Sequence, residues 1–350
     1  MLTLYVDAPR WRAHLEQVVA SHPGIVPVAK GNGYGFGNRR LAEVAQELGA
    51  DTVAVGTYAE VADVEASFAG DVLVLTPWRP FETRATYDPR LVHTVGRLED
   101  LDALAAAGRG ADGTGPRVLL ELVTSMLRHG FTPRGLRDAA SHLDGVRVEG
   151  FALHLPMSHE SHLGEVERRM NHIIASGIQA RTVFVSHLTD AELRSLRASY
   201  GDFDLRPRIG TQLWLGDRNA LQVRATVLDV HEVQRGDVFG YRGRSAPRNG
   251  HIVVVSGGTA HGIGLEAPTG GATLRDRAAR VAKGGLDAAG FVRSPFTVSG
   301  KQRLFAEPPH MQASMLFLPS GAAVPAIGDE VDVQVRFTAT AFDRTVTVGR

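Results

Sequence analysis

Residues 28–37 read Val-Ala-Lys-Gly-Asn-Gly-Tyr-Gly-Phe-Gly. A run of small and β-branched residues, Ile25 to Ala29, ends on Lys30. Gly31, Gly33, Gly35 and Gly37 follow, with Tyr34 set among them. A lysine at the carboxyl end of a buried strand can condense with a carbonyl ligand. Glycines beside it let backbone approach a phosphate closely. Together these point to pyridoxal phosphate. A surface turn with a solvated lysine is the other reading of this segment.

Outward from this stretch, short apolar runs alternate with helical patterns through the first 215 residues. The strands expected are Ile25–Ala29, Thr52–Val55, Asp71–Leu75, Leu91–Val95, Arg117–Val123, Val148–His154, Arg181–Ser186 and Asp204–Arg208. Between them, sets such as Leu41, Val44, Ala45, Leu48 and Leu98, Leu101, Leu104, Ala105 have helical spacing. Eight strand–helix repeats predict an α/β fold, an N-terminal (β/α)8 TIM barrel over 7–216. In such barrels function gathers at the carboxyl ends of strands. Lys30, His154, His187 and Arg208 fall at such ends. After about residue 216 the texture turns to β: Leu221–Val233, Val238–Tyr241, His251–Val255, Met315–Leu318 and Glu330–Arg336 read as strands. A mostly β C-terminal domain over 217–350 is expected, joined by the initial strand within 1–6. Leu274–Val281 reads as a short helix in a Gly/Ala-rich stretch.

The 350 residues are enough for two cores. Lys+Arg and Asp+Glu are 38 each, so net charge is zero and no basic excess points to nucleic acid. No apolar run approaches the ~20 residues of a membrane span, and the N-terminus lacks signal-peptide regions. Cysteine is absent, which excludes disulfides and fits a cytoplasmic protein.

The order of parts, with Gly236-Asp-Val-Phe-Gly-Tyr-Arg-Gly243 in the β region, resembles alanine racemase, a pyridoxal-phosphate family with a barrel and a β domain. The resemblance implies that Lys30 carries pyridoxal 5'-phosphate and Tyr34 binds its phosphate. Thr124-Ser-Met-Leu-Arg-His-Gly130 is similar to a family motif whose arginine, here Arg128, contacts the cofactor phenol oxygen and the substrate carboxylate. A guanidinium fork suits a carboxylate because it donates two parallel hydrogen bonds. Glu121 stands where many members have a carbamylated lysine orienting that arginine, and supplies the same charge. Glu149-Gly-Phe-Ala-Leu-His154 resembles the motif whose histidine bonds the catalytic tyrosine. Arg206-Pro-Arg-Ile-Gly-Thr211 resembles the strand-8 motif. There Arg208 faces the pyridine nitrogen, and Gly210 and Thr211 offer N–H groups to the phosphate. Tyr241 matches the catalytic tyrosine, which in the family reaches the other subunit's site and so implies a homodimer. Ala306-Glu-Pro-Pro-His-Met-Gln-Ala-Ser-Met315 resembles the substrate-carboxylate loop, with Met311 as its methionine. The implied activity is racemisation of a small amino acid of the alanine type by two bases, Lys30 and Tyr241.

The chain departs from the pattern at the substrate rim. Gln312 replaces an aspartate, His310 precedes Met311, and Thr259 replaces a gate tyrosine. The strand-7 loop has Leu188 near a phosphate serine, with Thr189 or Ser186 as substitutes. No counterpart of a late entrance tyrosine precedes Arg350. These changes bear on substrate choice more than on racemisation. The alternatives are an amino-acid-binding pseudo-enzyme, a non-catalytic pyridoxal-phosphate carrier, against which the β domain with Tyr241 counts, or another reaction of this cofactor, such as decarboxylation, against which Arg208 argues. His154, His159, His162 and His172 lack a carboxylate or cysteine to complete a metal set, so no metal is expected.

Overall fold

Eight strands, Val26–Pro27, Thr52–Val55, Asp71–Val74, Leu91–Val95, Arg117–Leu122, Arg147–Leu153, Thr182–Val185 and Asp204–Ile209, lie parallel in chain order. The last pairs back with the first, Val26 opposite Arg208, and Val28 bridges Ala54, so the sheet closes into a barrel. The computed structural model describes residues 1–82, 88–108, 110, 113–157, 161–265 and 292–349. The expected helix Leu274–Val281 and His159 lie outside them. The first strand is shorter than Ile25–Ala29 because Pro27 has no N–H to give. The ladder resumes beyond it, with Val28 N–H donating to the Ile209 carbonyl (2.9 Å) and Ala29 N–H to that of Ala54 (2.8 Å).

Side chains alternate along a strand, so every second residue points into the barrel. Val26, Val28, Ala54, Leu73, Val92, Leu119, Ala152 and Phe184 form one apolar layer there. Two residues further along their strands stand Lys30, Glu121, His154 and Ser186. Arg208 has the parity of Arg206, whose guanidinium lies 5.4 Å over the Phe184 ring. The same period that fills the core therefore delivers polar groups to the carboxyl-end rim. Around the sheet, helix Asn38–Glu47 buries Leu41, Val44 and Ala45, and helix Leu98–Ala106 buries Leu101 and Leu104, as their spacing predicts.

By contacts, Ala13–Gly216 form one unit, and Met1–Arg12 with Asp217–Arg350 another. The N-terminal segment belongs to the second unit beyond its strand: Arg10 Nε donates to Asp217 at 2.5 Å. In that unit Leu2–Asp7 pairs antiparallel with Leu221–Val233 and parallel with Arg344–Val348. Leu221–Val233 also pairs with Gly250–Ser256 and Glu330–Val333, and Arg293–Val298, Lys301–Phe305 and Ala313–Pro319 complete the eight-stranded sheet. Arg293–Val298, Lys301–Phe305 and Arg344–Val348 are strands that the sequence reading omits. A small hairpin, Val238–Phe239 with Arg244–Ser245, carries Tyr241 at its turn. Among the described residues, no helix is long and apolar enough to cross a membrane.

Candidate active site

Lys30 leaves the first barrel strand at the rim. Gly56, at the end of the next, has no side chain where a Cβ would come within 3.1 Å of the Lys30 Cβ and 3.0 Å of a Glu60 carboxylate oxygen. Glu60 ties the two loops together. Its Oε1 accepts Gly31 N–H at 3.0 Å, and its Oε2 accepts Gly56 N–H at 2.7 Å and Thr57 N–H at 3.3 Å. The Lys30 ammonium lies below its ordinary range. Burial is the main cause, the positive charges of Arg128 and Arg208 add to it, and Glu60 opposes them.

The glycines after Lys30 make a tight turn. Gly33 has φ +60°, and a Cβ there would stand 2.6 Å from the Asn38 nitrogen, so only glycine fits. Tyr34 itself sits at φ 54°, a conformation that costs a residue with a side chain about 1–2 kcal/mol. Its ring is buried, and Thr211 bonds its hydroxyl. Burial pushes the phenol up to about 12 and the Glu60 charge pushes the same way, while the Thr211 bond opposes both. Tyr34 is thus a neutral hydrogen-bond donor at physiological pH. A Cβ on Gly210 would fall 2.0 Å from the Tyr34 hydroxyl oxygen. The short helix Thr211–Leu215 is anchored by Trp214, whose indole N–H donates to the Val28 carbonyl at 2.8 Å. The last strand's exit is thereby fixed against the first strand.

Across the rim, Arg208 and Glu121 are both buried, at 7% and 3% exposure. Arg208 donates to the Leu153 carbonyl at 3.0 Å. Its Nε and the Glu121 Oε2 have no protein partner among the described residues. Burial lowers the guanidinium to about 10, with Glu121 opposing and Arg128 adding; it stays charged at neutral pH. Burial raises Glu121 above the usual carboxylate range, against the pull of Arg208 and Arg128. Arg128 itself is exposed. Three cations, Lys30, Arg128 and Arg208, therefore share the rim with two carboxylates, Glu60 and Glu121. That surplus suits an anionic ligand.

His154 is held neutral. Burial first, then Arg208, Arg128, His187 and Lys30, bring it down to about 3. Its Nδ1 lies 3.1 Å from the Ser186 hydroxyl, which accepts Leu155 N–H at 3.3 Å. The neutral ring carries one N–H and one bare nitrogen, so it can donate at one edge and accept at the other. His187, at φ 60°, sets its ring edge-on to His154 at 5.3 Å. The serine substitutes considered for the phosphate are engaged inside the fold. Ser186 serves His154, and Thr189 caps helix Asp190–Ser199 in a reciprocal pair with Glu192. Leu188 offers no polar atom. His162 donates its backbone N–H to Glu192 at 2.6 Å.

In the second unit, Tyr241, Arg242, Thr259, Glu307, His310, Met311 and Gln312 line one cleft of about 650 Å³. Tyr241 and Met311 are exposed. The motifs that the sequence reading drew from three separate segments thus meet in one place. Thr259 N–H donates to the His310 carbonyl at 2.8 Å and Ala260 N–H to that of Met311 at 2.9 Å.

Sequence reasoning missed Glu60, the partnership of Ser186 with His154, and Glu307. Only Glu60 had a local signal: Thr57-Tyr-Ala-Glu60 follows a strand and has capping-box spacing, and the structure forms that box.

The family model described as alanine racemase, N-terminal domain, matches residues 6–214. Among similar curated proteins, the alanine racemase of Desulforamulus reducens is 32% identical over 151 residues, 42% of this chain and 40% of that protein. The match thus spans less than half of that relative. The alanine racemase of Nitratidesulfovibrio vulgaris is 26% identical over 271 residues, 71% of this chain and 72% of that protein. The crystal structure of alanine racemase from Bartonella henselae with covalently bound pyridoxal phosphate is similar at TM-score 0.74 and 15% identity, covering 99% of both chains. That of Streptomyces lavendulae is similar at TM-score 0.69 and 21% identity, covering 100% of this chain and 97% of that one. At these identities the structural likeness shows the fold.

Proposed function

The chain belongs to the alanine racemase family, and from that premise we propose that it is a pyridoxal 5'-phosphate-dependent racemase interconverting the L and D forms of an amino acid. The observation that carries this reading is the rim set by one strand period: Lys30, with its ammonium destabilised, beside buried Glu121 and Arg208 and a neutral His154.

The residues fit the cofactor. Arg208 Nε and Glu121 Oε2 are buried polar atoms without a protein partner among those described. At Gly210 the neutral Tyr34 hydroxyl lies where a Cβ would stand, so this phenol and the backbone leaving the last strand meet. Lys30 would hold the aldehyde carbon, Tyr34, Gly210 and Thr211 the phosphate, and Arg208 the ring nitrogen. When bound, the cofactor supplies an electron sink that makes the substrate's α-proton removable. Arg208 has only donors, so it orients without taking up a proton. Arg128, exposed and beside the site, would take the substrate carboxylate, and Met311 is proposed as a second substrate-binding residue. Lys30, shifted toward its free amine, accepts or returns the α-proton on one face. Tyr241 does so on the other. A phenol ordinarily keeps its proton at neutral pH, so a phenolate there needs a hydrogen-bond donor, and a neutral imidazole such as that of His154 can be one. We further place Tyr241 of one copy opposite Lys30 of a second copy, in a cytoplasmic homodimer.

Two measurements test the reading. Protein purified with pyridoxal phosphate should show a visible absorbance band that Lys30→Ala removes. Single amino acids in D2O should then be screened for deuterium at the α-carbon. Exchange with none of them, in protein that carries the band, would leave a binder rather than a racemase. Mixing Lys30→Ala with Tyr241→Phe subunits should restore activity that neither has alone, since one shared site of the mixed dimer keeps both bases.

A further inference from the structure

The Tyr241 ring has a neighbour that neither the family motifs nor the chemistry above employs. Tyr241 is 88% exposed, and its hydroxyl has no protein partner among the described residues. Nothing among those residues holds the phenol at its hydroxyl end, yet proton transfer demands a fixed approach to one carbon. The nearby His310 ring lies 4.6 Å from the Tyr241 ring, centroid to centroid, tilted by 55°. His310 is itself held: its Nε2 is 2.5 Å from Oε1 of Glu307, a carboxylate only 2% exposed. Its backbone is fixed too, its N–H donating to the Ala313 carbonyl at 2.9 Å and its carbonyl accepting Thr259 N–H at 2.8 Å.

Glu307 also reaches the Tyr241 turn directly. Its Oε1 accepts Tyr241 N–H at 3.4 Å. A Cβ on Gly240 would meet the Glu307 carboxylate at 2.2 Å. Gly240, with φ +73°, is therefore demanded twice, by the turn and by the acid beneath it. One carboxylate thus lies under the backbone that carries Tyr241 and orients the imidazole that covers its ring.

We propose that Glu307 and His310 are positioning residues for Tyr241, a carboxylate–imidazole pair that fixes the phenol's direction of approach. The inference rests on the racemase reading for what the phenol does, but its geometry lies wholly within the β unit. His310 holds the ring by contact, and Glu307 holds His310. No proton needs to pass between them. The residue before Met311 then has a task, as does the buried acid three positions earlier.

The test uses holoenzyme and the amino acid that exchanges fastest in the D2O screen. The Tyr241 ring signal is assigned by its loss in Tyr241→Phe, in NMR spectra of protein with labelled tyrosine. His310→Ala should shift that signal toward the position of a free tyrosine, because the imidazole ring current is gone. The same variant should lower kcat about tenfold to a hundredfold, the range expected for a small misplacement of a reacting group, with KM within about twofold. Glu307→Gln, which keeps a hydrogen-bonding group against His310, should retain most of kcat and leave the Tyr241 signal near its place. His310→Ala is a change at a partly exposed side chain, so its unfolding midpoint should stay near wild type. The inference is overturned if either the ring signal or kcat is unmoved in His310→Ala. Exchange retained on both faces in Tyr241→Phe would instead overturn the function on which it rests.

Discussion

Replacing Gly210 by alanine probes the phosphate side of the barrel without removing any group. Gly210 has φ −116°, outside the left-handed region that favours glycine, so the main expected effect is the steric one. The added Cβ would stand 2.0 Å from the Tyr34 hydroxyl oxygen, 2.8 Å from its Cζ and 3.4 Å from the Val28 Cβ. Contacts between such atoms are comfortable at about 3.5 Å, so the phenol must retreat by about 1.5 Å. It has little room, since the ring is 5% exposed and Thr211 bonds its hydroxyl. Overpacking of this kind costs about 1–3 kcal/mol. For a unit of this size, a loss of about 2 kcal/mol lowers the unfolding midpoint by about 4–8 °C. If the same amount falls on cofactor affinity, Kd rises by about thirtyfold. Thermal unfolding of apo protein and titration with pyridoxal phosphate read the two effects. Tyr34→Phe removes the closest atom, so the double variant should lose less than the sum of the singles, with coupling of about 0.5–3 kcal/mol. Strictly additive losses, or a Gly210→Ala protein with wild-type midpoint and affinity, would refute the steric reasoning.

Other outcomes follow from the rim. His154 is depressed from 6.5 to about 3, so the unfolded chain binds the extra proton first. Its contribution to stability is full above about pH 6.5 and declines as pH falls toward 3, and His154→Asn should flatten the acid limb of midpoint against pH between about 6.5 and 5. Depressed carboxylates such as Glu192 act only below about pH 4.3, so the upper part of that limb reports histidines; His129, His172 and His187 are lowered too, and the variant removes the share of His154. Thr189→Ala should cost about 1 kcal/mol as a lost helix cap, while pyridoxal-phosphate affinity stays unchanged; a weakened affinity would return Thr189 to the phosphate. Glu60→Gln should shift Lys30 further toward the free amine, since the Glu60 charge is what raises it, and the pH midpoint of cofactor attachment should move down.

Much of the barrel was legible in the chain because strand period and breaker residues are local. Asp71–Val74 and Leu91–Val95 match their expected limits within a residue, since each is a compact β-branched run. The β unit was less so. Arg293–Val298 begins Arg-Ser-Pro and Lys301–Phe305 begins Lys-Gln-Arg; neither announces a strand, and each is one because neighbours in the sheet supply its hydrogen bonds. Arg344–Val348 carries a β-branched Thr-Val-Thr-Val run that the sequence reading passed over; its place is set by parallel pairing with Leu2–Asp7, a partner more than three hundred residues away in sequence.

The chain by itself determined which residues reach the strand ends. Alternation puts Lys30, Glu121 and His154 two positions past an inward apolar residue, and the glycines after Lys30 dictate a turn that only they allow. Tertiary structure alone decided what those groups become. Desolvation and charge act through space, so neutral His154, a destabilised Lys30 ammonium and the hold of Glu307 on His310 depend on strands and loops brought together from distant parts of the sequence.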